Sequence, residues 1–364
     1  MGKSSAESWG DGRVNLGQRA QVSLTVSESY SGADVKIPLV VWRGREDGPK
    51  VFVTAAVHGD EINGTGIIRH LLRESPFEVL RGTLILAPVV NMFGFERHSR
   101  YLPDRRDLNR SFPGSKEGSL ASRLARMFFD NVVKKCDYGI DLHTAAVRRT
   151  NFPNVRADLK DPKLAAFARS FGAELIVSGH GPAGSLRSSA CKAGVPTIIL
   201  EAGEVWKVEP SVLSYAVGGI SSCLAYLKMI DQPMRKPPYR IETDATKWVR
   251  AKRGGFLEFH VAPGVIVSKG QALATNTSLT GVEHSQITAP RSGVVLGMTT
   301  IPSVAPGDPV CHIAFPQKGS LQRIERIVEG FSQESTHTQL RDDLASAFTV
   351  KPSEQDPANP SKTP

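Results

Sequence analysis

Cysteine is scarce in this sequence, and its four copies (Cys136, Cys191, Cys223, Cys311) are scattered without a single CxxC. That spacing excludes a disulfide frame and a zinc knuckle, and reads as buried thiols in a reducing, cytoplasmic setting. Long apolar runs are missing too. The longest, such as Thr83–Val90, fall far short of the ~20 residues a membrane-spanning helix needs. The opening MGKSSAESWGDG lacks the apolar core of a secretory signal, and its sixth residue, Ala6, is a poor match for myristoylation. Nor is there an arginine-rich helix or a basic run interleaved with aromatics, so nucleic-acid binding is set aside. What is present is a mild basic excess: 45 Lys and Arg against 36 Asp and Glu, a net charge of +9. Without a nucleic-acid signature, that balance suits an enzyme with an anionic substrate.

The 364 residues suffice for two domains. Residues 1–19, rich in Gly, Ser and charge, are expected to be disordered. From Ala20 the text alternates, with Val22, Leu24 and Val26 followed by Val35, Ile37, Leu39 and Val41, which predicts a hairpin turning near Ser31-Gly32. Continuous apolar runs at 51–57 and 84–90 read as strands covered on both faces. Helical spacing is visible over 64–72, 119–135, 162–171 and 211–229, with further strands at 138–142 and 196–200. Alternating strands and helices predict an α/β domain over 20–232, with a mainly parallel sheet and helices on both faces. Three prolines in Asp231–Pro238 read as a linker, placed at 233–240. Beyond it, at 241–318, short β-like runs separated by Pro-Gly turns predict a small all-β domain. Residues 319–364 read as a polar, largely disordered tail.

Chemistry collects at the ends of the predicted buried strands. His58 and Glu61 lie three apart at a strand-to-helix turn, where ligands gather in parallel sheets. Imidazole and carboxylate form a natural zinc pair, although an exposed histidine beside an ordinary helix start would look the same. His143, closing the Tyr138–Leu142 strand, offers the third ligand that a catalytic zinc requires. Asp141 reads equally as the carboxylate behind a ligand histidine or as an ordinary cap or salt-bridge partner. Glu201 follows Leu200 with no polar buffer, so partial desolvation and a raised pKa are expected, as suits a general base. Glu204 is its rival. Between these lies an irregular loop, 97–110, with five arginines in fourteen residues. It is either a solvated surface or a set of carboxylate-binding forks.

The motifs HGDE (58–61), DLNRSFPG (107–114), DLHT (141–144) and TIILEAGE (197–204), in this order, resemble the succinylglutamate desuccinylase/aspartoacylase family. That family is a branch of the zinc carboxypeptidase superfamily, and the resemblance runs from about Ala20 to Pro316. It implies a carboxypeptidase-like α/β domain followed by a small β domain, of barrel-sandwich type, that leans on the site. It implies one zinc ion per chain, held by His58, Glu61 and His143, with Glu201 as general base. Asn109 and Arg110 match the pair that grips the substrate's carboxylate, and Arg100 the arginine that polarises the scissile carbonyl. Because the loop carries two extra residues here, Arg97 and Arg105 compete for that last role. The implied reaction is hydrolysis of a small N-acyl amino acid to a carboxylic acid and a free amine. A zinc carboxypeptidase acting on short or cell-wall peptides is the alternative, and a homo-oligomer stays open.

The stretches 265–273 and 287–295 also resemble halves of a biotinyl or lipoyl carrier. A carrier needs a lysine at the tip between them, and residues 270–317 contain none. The shared feature is the fold, not the carrier role, and the domain is expected to shape the mouth of the site.

Overall fold

The protein is described from a computed structural model, which places residues 6–29, 31–316, 320–330, 336–346 and 348–351. Residues 352–364 of the expected disordered tail, like residues 1–5, lie outside that range. The chain divides into two compact units, Met1–Thr144 with Pro153–Arg240, and Ala145–Phe152 with Ile241–Pro364.

The first unit opens with a two-stranded ribbon, β1 (Glu7–Trp9) and β2 (Gly12–Val14), where a loose terminus was expected. Only two apolar side chains, Trp9 and Val14, hold it down, too few to leave a periodic signal. Both are buried in the same core cluster as Val22 and Leu24. The alternating hairpin forms as β3 (Arg19–Glu28) and β4 (Asp34–Arg43), with Leu24 opposite Ile37 and Val22 opposite Leu39. The continuous apolar runs become β5 (Glu46–Ala55) and β6 (Arg81–Ala87), followed by β7 (Tyr138–His143), β8 (Arg149–Ala157), β9 (Leu175–Ser178) and β10 (Thr197–Gly203). The strand order in this unit is β3-β4-β6-β5-β7-β10-β8-β9. The pairs β5·β6, β5·β7, β7·β10 and β8·β9 are parallel, whereas β3·β4 and β4·β6 are antiparallel. The result is a mixed α/β fold.

Helices α1 (Asn63–Glu74), α2 (Met92–Phe95), α3 (Leu120–Asn131), α4 (Pro162–Ser170), α5 (Leu186–Lys192) and α6 (Pro210–Tyr226) complete the unit. α3 begins where its sequence says it should, since Ser119 Oγ accepts from Ser122 N. The core shared by α3 and α5 with Phe52 and Ile85 lies on one face of the sheet. α1 presses on the other: a Cβ on Gly64 would fall 2.8 Å from those of Ala55 and Leu142. Among the described residues, no helix is long and apolar enough to cross a membrane.

The second unit contains β11 (Ile241–Thr243), β12 (Thr246–Arg250), β13 (Gly255–Phe259), β14 (Ile266–Val267), β15 (Ala272–Thr277), β16 (Glu283–Thr288), β17 (Gly293–Thr299), β18 (Ser303–Val304) and β19 (Pro309–Ala314). A β16-β15-β13-β18 sheet and a β12-β19-β17 layer are antiparallel. Leu257, Phe259, Leu273, Val295 and Ile313 lie in their shared core. Two helices follow within the stretch expected to be a disordered tail, α7 (Ser320–Glu329) and α8 (Thr336–Ala345). In α8, Leu340 and Leu344, one helical turn apart, are both buried. The described residues of this unit are therefore not all β.

Candidate active site

β5 ends in an abrupt turn. Ala56 takes a φ of +47°, uncommon for a residue with a side chain, and the turn is fixed where Val90 N donates to the Ala55 carbonyl and Asn91 N to that of Ala56. The next segment passes so close to Gly94 that a Cβ on Gly59 would sit 2.0 Å from its carbonyl carbon. Within this turn His58 Nδ1 meets Glu61 Oε1 at 2.7 Å. From the end of the neighbouring parallel strand β7, His143 Nδ1 meets Glu61 Oε2 at 2.7 Å. All three residues are buried, and one donor atom from each lies within 4.8 Å of the others.

Each ring is held from behind. His143 Nε2 contacts Asp141 Oδ2 at 2.8 Å, and Asp141 Oδ1 accepts from Thr54 Oγ1 at 2.7 Å. His58 Nε2 contacts Asp107 Oδ1 at 3.1 Å. Of the two readings of Asp141, the structure realises the one that orients a histidine.

Burial alone would raise the Glu61 pKa, but His58 and His143 overcome it and hold the carboxyl well below the usual range. Burial opposes charge on the rings as well. Glu61 and Asp107 nevertheless lift His58, and Asp141 with Glu61 lifts His143 well above the ordinary imidazole value. The pocket thus favours positive charge at its centre. Two imidazole nitrogens and a carboxylate, each fixed by a further carboxylate or backbone donor, fit a divalent metal ion. The triad could bind such an ion.

Arg100 is the arginine of its loop that reaches this centre. It donates to Glu61 Oε1 at 3.2 Å and to Asp107 Oδ2 at 3.0 Å. Its competitors Arg97 and Arg105 are exposed, and Arg97 lines a separate cleft of about 780 Å³ with Met92, Phe93 and Leu120. Asn109 is buried, and its Oδ1 accepts from Leu186 N at 2.8 Å, joining the loop to the start of α5. Arg110 is exposed, with one terminal nitrogen donating to the Asn109 carbonyl.

Glu201 is the register partner of His143 across the parallel β10·β7 pair, so the two side chains rise from the same face of the sheet. Its side chain keeps 17% of its surface exposed, and Oε1 lies 3.6 Å from Arg156 Nε. The carboxylate is thus partly buried, with a charged side chain facing it. Glu204, similarly part-buried, instead pairs with Lys207.

The sequence reading gave no role to Asp107, Asn154, Arg156 or Arg187. Asp107 stands first in DLNRSFPG, which is the one signal that could have marked it. Arg187 is buried with no partner for its Nε, and burial pushes its pKa down. Its Nη1 donates to the Gly179 carbonyl at 2.9 Å. Only the fold brings it near Glu201.

Residues 47–227 match the succinylglutamate desuccinylase/aspartoacylase catalytic domain. The chain belongs to this family. Membership places it among hydrolytic enzymes, and the four ordered motifs had pointed there. It is 29% identical over 308 residues to the N-alpha-acetyl-L-2,4-diaminobutyric acid deacetylase of Halomonas elongata, covering 81% of this chain and 90% of that one. The structure of a succinylglutamate desuccinylase/aspartoacylase from Rhodobacter sphaeroides superposes with a TM-score of 0.67 at 26% identity, over 82% of this chain and 96% of the other. The product-bound ectoine utilization protein of Ruegeria pomeroyi shares the fold, with a TM-score of 0.71 at 24% identity over 81% and 95% of the two chains.

Proposed function

We propose that the protein is a zinc-dependent deacylase that hydrolyses the amide bond of a small N-acyl amino acid. One observation carries the reading: two buried histidines turn Nδ1 towards a single glutamate at 2.7 Å while carboxylates hold their other nitrogens. Such a donor set suits Zn²⁺. The name of the Halomonas elongata relative supports an N-acyl amino acid as substrate. Four free thiols support a cytoplasmic setting.

When bound at His58, Glu61 and His143, zinc supplies a Lewis acid that lowers the pKa of water and polarises an amide carbonyl. Glu201, one strand from His143, takes a proton from the attacking water and returns it to the nitrogen as the C–N bond breaks. The Arg100 guanidinium lies at the edge of the triad and stabilises the negative charge that develops on the carbonyl oxygen. Asn109, Arg110 and the buried Arg187 are the receptors for the substrate's carboxylate, setting the amide in register with the triad. Asp107 and Asp141 keep the two rings aimed inward.

Amine release from a panel of N-acetyl and N-succinyl amino acids and short peptides, using zinc-loaded protein, tests the reading. Release from one or a few acyl amino acids, abolished by a chelator, is expected. Release from the peptides alone would replace the deacylase with a carboxypeptidase, for which the same metal ligands would serve.

A further inference from the structure

Glu201 follows the apolar run of β10, and two residues of β8 meet it, Asn154 at its backbone carbonyl and Arg156 at its carboxylate. Asn154 and Arg156 are two apart, so the period of a strand puts both side chains on one face. Asn154 is fully buried, and its Nδ2 donates to the Glu201 carbonyl at 3.3 Å. Its Oδ1 accepts from Arg156 Nε at 3.4 Å, and the same Nε lies 3.6 Å from Glu201 Oε1. One amide therefore ties the backbone of Glu201 to the cation that faces its carboxylate. The Arg156 side chain is 31% exposed, and an arginine that accessible would ordinarily sample many rotamers. The bond to Asn154 tethers it.

A carboxylate that must collect a proton from one place and deliver it to another needs a fixed orientation. A base works only within about 2.6–3.2 Å of the proton it takes, and a misplacement of about 1 Å can cost 10²-fold in rate. A cation beside Oε1 restrains how the carboxylate is turned. Arg187, the second guanidinium near Glu201, has no bond to Asn154 and is the better candidate for gripping substrate.

We infer that Arg156 is a positioning residue for Glu201, acting on turnover through that carboxylate and not by touching substrate. This rests on Glu201 being the general base. The test compares Arg156→Met, Arg156→Lys and Glu201→Gln, measuring kcat, KM, bound zinc and thermal midpoint with the best substrate of the acyl amino acid panel. Arg156→Met is expected to lower kcat by about 10–100-fold with KM within about twofold, and with bound zinc and midpoint unchanged. Arg156→Lys, which restores a cation, should recover most of the loss. Arg156→Gln repeats the measurement if the Met variant is unstable.

A large rise in KM with kcat retained would make Arg156 a substrate contact and overturn the inference. So would wild-type turnover in Arg156→Met beside a dead Glu201→Gln, which would leave the base assignment standing. An active Glu201→Gln would bring down the base assignment and the inference with it.

Discussion

Asp107 joins the parts of the site that sequence reading kept separate. One carboxylate oxygen meets His58 Nε2 at 3.1 Å and the other accepts from Arg100 at 3.0 Å, while the backbone N of Asn109 donates to the side chain at 2.8 Å. Burial would raise its pKa, but His58 and Arg100 hold it well below the usual carboxylate range. Removing such a carboxylate typically weakens metal binding by about 10–100-fold. Asp107→Asn is expected to do so in competition with a chromogenic chelator, and an unchanged zinc affinity would show that His58 needs no support. Glu201→Gln should retain its metal and lose about 10²–10⁴-fold in kcat. His58, Glu61 and His143 were legible because they lie at or just beyond the ends of apolar strands, where a polar residue needs a reason. Asp107 was not, because its partners converge only when the 97–110 loop folds back over the strand ends. The partial burial expected of Glu201 is present, but its charged neighbour was not foreseen, because Leu200 adjoins it in sequence and Arg156 in space.

At the scale of elements, the turn that carries His58 and Glu61 leads directly into α1, which packs closely on the sheet. Gly64 opens that contact, since a Cβ there would lie 2.8 Å from two others on β5 and β7. Gly64→Ala should overpack the joint and cost about 1–3 kcal/mol, seen as a lower urea midpoint with unchanged m. Stability equal to the wild type would mean that the helix shifts freely. Long periodic helices such as α3 and α6 were readable from their spacing. α5 was not, because seven residues show barely two turns. β8 was missed as well, since it carries Pro153 and two asparagines where a strand would show β-branched residues. These two unread elements carry Asn154, Arg156 and Arg187, which is why those residues escaped notice.

At the scale of the molecule, composition misled at both ends. Residues 7–14 look like a loose terminus, but Trp9 is 1% exposed and donates its Nε1–H to Glu7. Trp9→Ala should therefore cost about 3–5 kcal/mol, whereas a mobile segment would tolerate it with no change in thermal midpoint. The second unit also takes residues 145–152 from between β7 and the rest of β8, a return that no linear boundary at 233–240 conveys. Burial pushes the Cys223 and Cys311 thiols up to about 12, and Cys136 is buried as well. At pH 8, iodoacetamide should leave these three unmodified in the native protein and alkylate all four thiols in guanidinium. Rapid native labelling of Cys223 or Cys311 would show that their cores open readily.

The central claim, that His58, Glu61 and His143 form a catalytic metal centre, is best tested by titrating Zn²⁺ into chelator-stripped protein while following amine release from the best acyl amino acid. Activity should start near zero, rise in proportion to added metal and level off at one equivalent per chain. Stripped protein that is already fully active, or that stays silent after binding its equivalent of zinc while the untreated enzyme turns over, would contradict it.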